Sequence, residues 1–258
     1  MPQLNISARL SAYGLPLKKA LHAAARSGAS AVEIDARNVI RPSELTDTAY
    51  RQLRKMLDDL NLRVSSVRFQ TRHGYDYVPR LNERVDATKA AMRMAYRLGC
   101  NVVVNQIGRV SDNAESAGYQ QMAAVINDLG RFGTHVGAFL AAETGSEPGE
   151  RLAELLSADD NVFTGVAFNP GNLIVNGFSV EDSLRALSHH VQLVVARDGV
   201  QDLAKGRGIE VPLGEGTADF PQILGTLEDR QYRGWFVVGE QGDGEAEVAR
   251  NVQYLSNL

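Results

Sequence analysis

Two carboxylates in this chain stand where side-chain packing alone gives them no use. The run Leu140–Gly145 reads LAAETG, three small or apolar residues leading into Glu143 and then a turn. Near the C-terminus, Trp235–Gly242 reads WFVVGEQG and puts Glu240 at the end of a second apolar run. Short apolar runs closed by turn residues read as buried strands. A carboxylate at the end of such a strand costs several kcal/mol to bury unless something pairs with it. Two of them suggest one site, able to move a proton or to hold a cation.

The elements around them alternate between strand and helix. Strands are expected over 5–10, 31–37, 63–69, 101–107, 138–143, 162–169, 191–197 and 235–240. Helices are expected over 15–27, 43–60, 81–98, 115–132, 150–156, 180–188, 220–227 and 246–255. Ser43, Glu44 and Thr46 are cap candidates for the second helix; Ser179 and Asp219 open the sixth and seventh. The pattern implies a parallel sheet. Eight units in 258 residues, about 32 residues each, fit a single-domain α/β fold, a (β/α)8 barrel spanning residues 1–258. The first strand–helix turn, AYGLP, lacks G-x-G-x-x-G, so no nucleotide cofactor is expected.

Barrels of this class build their sites where strands end. The residues there are Arg9, Asp35 or Arg37, Arg68, Asn105 or Gln106, Glu143, Asn169, Arg197 and Glu240. The ring is polar all the way round. Arg9, Arg37, Arg68, Arg72 and Arg109 make the mouth arginine-rich and suit an anionic sugar, such as a sugar acid or sugar phosphate. Of the five histidines only His73, after the third strand, falls near the mouth; His189 and His190 fall at the opposite end. Cys100 reads as a small buried apolar residue, and LGEG at 213–216 as a plain turn in preference to a phosphate-binding loop.

Net charge is −4, with 44% hydrophobic and 22% charged residues. That balance argues against non-specific binding to nucleic acid or an anionic membrane. A lone cysteine, no signal-peptide pattern in MPQLNISARL and no apolar run long enough to span a bilayer point to the cytoplasm. A homo-oligomer is compatible with the composition.

At its strand ends the chain resembles the xylose-isomerase-like barrels, a group of sugar isomerases and epimerases that includes zinc-dependent endonucleases of abasic sites. The resemblance rests on LAAETG, VAFNPGNLIVNG, VVARDGV and the stretch LGEGTADFPQILGTLEDRQYRGWFVVGEQ. In that family the fifth, sixth, seventh and eighth strands supply Glu, Asp, His and Glu to one divalent cation, and the two Glu move a proton beside a sugar carbonyl. Glu143 and Glu240 match. Asn169 stands at the Asp position and Val195 at the His position; Asn172 stands where epimerases often carry a second His. The resemblance therefore implies a sugar isomerase or epimerase with Glu143 and Glu240 catalytic, and Asn169, Asn172, Arg197, Arg68 and Arg9 binding substrate. The alternative is a catalytically inactive sugar-binding or regulatory homologue that has lost its metal. Glu143, Glu240 and Asn169 offer two charges and three oxygens, a set compatible with a weak, substrate-assisted magnesium or manganese ion and poor for zinc. Without metal the two Glu would repel and one pKa would rise, unless Arg197 supplied the fixed positive charge.

Overall fold

The computed structural model describes residues 4–157, 163–202 and 207–258. The barrel strands are β1 (Ile6–Arg9), β2 (Ala31–Asp35), β3 (Arg63–Arg68), β4 (Val102–Asn105), β5 (Phe139–Glu143), β6 (Thr164–Phe168), β7 (Val191–Val195) and β10 (Trp235–Val238). They pair in parallel in the order β1-β10-β7-β6-β5-β4-β3-β2, and β1 pairs with β2 to close the ring. The helices are α1 (Leu17–Arg26), α2 (Asp47–Asp59), α3 (Leu81–Arg97), α4 (Ala117–Val136), α5 (Gly149–Ser157), α6 (Pro170–Val175), α7 (Val180–Leu187), α8 (Phe220–Asp229) and α9 (Gly244–Ser256). The eight expected strands are thus the eight barrel strands. The expected start of the sixth, Val162, lies outside the described residues.

Alternation along each strand sorts its side chains. Ala8, Ile34, Val67, Val103, Leu140, Ala142, Phe168, Val194 and Val238 join the large cluster shared with the helices. Val102, Val104, Ala141, Ala167, Leu193, Val195 and Val237 form a second cluster drawn from strands alone, which fills the barrel interior. The interior is polar on the β1–β3 side, where Ser7 and Ser65 are hydrogen-bonded at 2.6 Å. Arg9, Glu33 and Glu143 are also buried.

Caps explain most helix starts. Thr46, Ser116, Ser179 and Asp219 each accept from the backbone N–H three residues on. Ser43 and Glu44 lie instead in a short 3-10 turn, Pro42–Glu44. Helix α4 runs four residues past the expected end at Phe132 although it contains Gly133. A Cβ at that position would lie 2.5 Å from the Ala138 carbonyl oxygen, so the glycine is there for close approach to the next strand.

Two features depart from eight plain units. NPGNLIV is not a simple turn: Asn169 caps the short helix α6, with Pro170 in its first turn. The long loop after β7 carries an antiparallel hairpin, β8 (Asp198–Val200) with β9 (Ile209–Val211). The LGEG segment following β9 wraps an anion, but an internal one. The Asp198 carboxylate, buried at the start of β8, accepts from the N–H groups of Gly199, Gly214, Gly216 and Ala218. No helix among the described residues is long and apolar enough to cross a membrane.

Candidate active site at the strand C-termini

The barrel brings Glu143 and Glu240 to one rim, and guanidinium groups lie between them. Arg9 ends β1, flanked in the ring by β2 and β10. Its Cα pairs in register with Glu33, and its Nε donates to Glu33 Oε1 at 2.6 Å. Its Nη1 donates to Glu240 Oε1. Glu33 is fixed in turn by the Ser66 hydroxyl, 2.9 Å from Oε2. Arg9 is raised above its ordinary pKa: burial alone would lower it, and the charges of Glu33, Glu240 and Glu143 outweigh that.

Glu143 is enclosed. Its Oε2 lies 2.9 Å from Arg68 Nη2 and accepts from Gln70 Nε2 at 3.0 Å; its Oε1 accepts from Asn169 Nδ2 at 2.9 Å. Burial pushes this carboxyl up, but Arg68 and Arg9 and the hydrogen bonds from Asn169 and Arg68 hold it below the usual carboxylate range. Repulsion between two facing glutamates is expected to raise the pKa of one of them; Glu143 is instead held low by the arginines beside it. Three arginines separate and neutralise them.

Glu240 is the accessible member of the pair, 32% exposed. Besides Arg9 it lies 3.4 Å from Arg197 Nη1. Arg197 reaches Asn172 Oδ1 at 3.4 Å and pairs with Glu210 of β9. Arg197 does act as a fixed positive charge beside Glu240, but Arg9 makes the closer contact. Asn169 and Asn172 are joined by the helix cap, Asn172 N–H to Asn169 Oδ1 at 3.0 Å. Val195 lies in the apolar interior and brings no donor.

Glu143, Glu240, Asn169, Asn172, Arg197, Arg68 and Arg9 thus lie in one cluster. The sequence reading missed Glu33, Gln70 and Glu210. Glu33 had a signal: it is a carboxylate in the middle of the buried strand AVEID, the same kind of anomaly that marked Glu143. Asp35, nominated instead, turns back on its own loop and accepts from the N–H groups of Arg37 and Asn38. Asn105 donates to the Phe69 carbonyl, and Gln106 is exposed. His73 is exposed and packs at a tilt against Tyr77. Together with Arg37, Arg72, Arg84 and Gln70 these two line a cavity of about 480 Å³, which Gln70 connects to Glu143. Cys100 is buried and its thiol is pushed up to about 12 by burial, as suits an inert residue.

The donor set matches a divalent ion poorly. Both Glu143 oxygens already accept from N–H groups. Asn169 offers that carboxylate its nitrogen, because its oxygen is committed to the cap. Among the described residues no group of three or more His, Cys, Asp or Glu side chains is arranged to hold a metal.

A closed parallel barrel with its charged residues gathered at the strand C-termini defines the TIM-barrel class. A family model for the xylose isomerase-like TIM barrel matches residues 21–258, and the chain belongs to that family. The structure resembles a xylose isomerase domain protein from Planctomyces limnophilus, with a TM-score of 0.86, 22% identity, and coverage of 99% of this chain and 96% of that one. A xylose isomerase-like TIM barrel protein from Mycobacterium smegmatis in complex with magnesium gives 0.79, 16% identity, and coverage of 98% and 96%. A D-allulose 3-epimerase from Methylomonas sp. in complex with D-allulose gives 0.70, 16% identity, and coverage of 92% and 84%. No curated protein sequence matches significantly.

Proposed function

We propose that this chain is an isomerase or epimerase of a small hydroxylated carbonyl compound, a sugar or sugar acid, working by proton transfer beside the carbonyl. One observation carries the reading. Arg9 Nη2 and Arg68 Nη1 are buried guanidinium nitrogens with no hydrogen-bond partner among the described residues, and both belong to arginines that act on Glu143. Unsatisfied buried donors are uncommon and costly, and a ligand oxygen would satisfy them.

The chemistry follows from the charges. A carbonyl oxygen accepting from these guanidiniums is polarised, which acidifies the neighbouring C–H. Glu240, exposed at the same rim, takes that proton; the bonding pair moves into an enediolate whose oxyanion faces the arginines. Return of the proton by Glu240 to the adjacent carbon gives an isomer; a proton taken from solvent on the other face of the same carbon, with Glu240 later losing its own to solvent, gives an epimer. Glu143, held ionised, serves as a fixed acceptor for a substrate hydroxyl or for the arginines that hold it. Asn169 bonds Glu143, and Asn172 is bonded by Arg197. The arginines around the 480 Å³ cavity favour a substrate with an anionic end.

The test is deuterium incorporation from heavy water at the carbon beside the carbonyl, over a panel of ketoses, aldoses, sugar acids and their phosphates. Exchange with at least one member, abolished in Glu240→Gln, supports the reading. Absence of exchange with every member that binds refutes it. The second reading, a binding or regulatory homologue without catalysis, draws on the enclosure of Glu143, whose low pKa suits a structural anion better than a base. It expects calorimetric binding of the same compounds without exchange.

A further inference from the structure

We propose that the Arg9 guanidinium is the resident cation of this site, holding the rim carboxylates together with no divalent ion among them and offering its free nitrogen to the ligand. The charge argument stands on the geometry alone; only the ligand clause rests on the function proposed above.

Arg9 leaves β1 between two strands that each bring a carboxylate to it, Glu33 from β2 and Glu240 from the end of β10. The guanidinium is locked: Arg9 is 2% exposed and Glu33 is fully buried, and Glu33 has its second oxygen taken by Ser66. The third carboxylate, Glu143, feels the charge of Arg9 and is bonded by Arg68. Glu210 also pairs with Arg197, so the four carboxylates of Glu33, Glu143, Glu240 and Glu210 face the three guanidiniums of Arg9, Arg68 and Arg197. A divalent ion placed among these carboxylates would leave the cluster with a positive charge in excess, and the carboxylate oxygens it needs would have to be stripped from N–H donors that cannot leave without becoming unpaired themselves. Guanidinium is permanently charged and weakly hydrated, which suits it to this duty in a buried cluster. It also presents a planar edge: Arg9 Nη2, with Arg68 Nη1, gives the ligand two donors of fixed direction where an ion would give a sphere.

The consequence is testable without any sugar. Purified protein, stripped with chelator, is titrated with manganese and followed by the electron-spin signal of free Mn²⁺ and by thermal unfolding; magnesium and zinc are run by unfolding alone. The wild-type chain is expected to take up no manganese through the millimolar range, to melt at the same temperature with and without each ion, and to be unchanged by the chelator. Arg9→Ala leaves three carboxylates facing an opened space with two guanidiniums. It is expected to bind manganese at least about tenfold more tightly than wild type and to be stabilised by it. Stoichiometric micromolar uptake by wild type, or a melting temperature lowered by chelation, overturns the proposal. So does a folded Arg9→Ala that gains no affinity. If Arg9→Ala does not fold, the wild-type titration decides. Neither readout involves turnover, so failure here is distinguishable from failure of the isomerase reading.

Discussion

Asn169 turns its amide nitrogen, not its oxygen, toward Glu143: Nδ2 lies 2.9 Å from Oε1, while Oδ1 accepts the Asn172 N–H at 3.0 Å. An ionised carboxylate needs a donor and a helix N-terminus needs an acceptor, and only this orientation supplies both. Aspartate would keep the cap but oppose Glu143 with a second carboxylate. Asn169→Asp is therefore expected to be destabilised at pH 8 by on the order of 2 kcal/mol, a buried like-charge contact having replaced a hydrogen bond. The pair should share a proton, so one folded-state pKa rises and stability is recovered as the pH falls toward that value. Thermal unfolding of wild type and variant at pH 5 and 8 checks this; equal melting temperatures at pH 8 would contradict the assigned geometry.

The two glutamates should separate when each is changed to glutamine. Glu143→Gln removes the charge that half-buried Arg68 faces and sets an NH2 group against either the Asn169 donor or those of Arg68 and Gln70. A stability loss of about 3 kcal/mol is expected. Glu240→Gln acts at the rim, and Arg9 keeps Glu33, so the loss should be about 1 kcal/mol or less, while deuterium exchange disappears. Chemical denaturation beside exchange measurements gives both numbers; the reverse ranking of stabilities would mean that Glu240 holds the rim together and Glu143 does not.

The barrel was legible because most of its strands are buried and read as short runs with few charges, each punctuated by a turn. Glu143 and Glu240 were legible as charges interrupting that pattern. What composition could not show was direction. Arg9, one strand-end arginine among several, gave no sign that it lies buried between two strands' carboxylates, since that depends on which strands neighbour β1 after closure. Gln70 lies just past the third strand, in a loop whose residues look solvated, yet its Nε2 donates to Glu143 and its Oε1 accepts from the Gln106 N–H. The hairpin β8–β9 is short, with strands of three residues, and its stability comes from Asp198, seen in sequence only as the D of VVARDGV.

Glu147, in the loop after β5, predicts a pH effect of its own. It is buried, and burial pushes its carboxyl up from about 4.5 to about 7 against the Val110 N–H and Arg109. A group whose folded pKa is raised adds stability that is complete below its unfolded pKa and lost as the pH rises through the folded one. From this residue, stability should fall between about pH 4.5 and 7, by up to about 3 kcal/mol. Glu143, with its pKa lowered, acts in the other direction and only as the pH falls below the ordinary carboxylate value. Glu147→Gln keeps an acceptor for Val110 and should flatten the slope. A melting profile over this window that is identical in the variant would show that Glu147 is not the titrating group.

Asp198 and Gly216 should behave as one unit. The Asp198 carboxylate accepts four backbone N–H groups at 2.8–3.1 Å, and a Cβ on Gly216 would fall 2.1 Å from its Oδ1. Asp198→Asn turns an NH2 group toward two of those donors and is expected to cost about 2–4 kcal/mol. Gly216→Ala forces the loop off the carboxylate and should cost a similar amount. Each kcal/mol lowers the melting temperature of a chain this size by about 2–4 °C. Because both changes break the same set of bonds, the double variant should be little worse than the worse single one, with a coupling of more than about 1 kcal/mol. Arg197 precedes Asp198, so loosening the loop should also weaken ligand binding at the rim. Strict additivity in the double-mutant cycle would mean that the carboxylate and the glycine loop stabilise the hairpin separately.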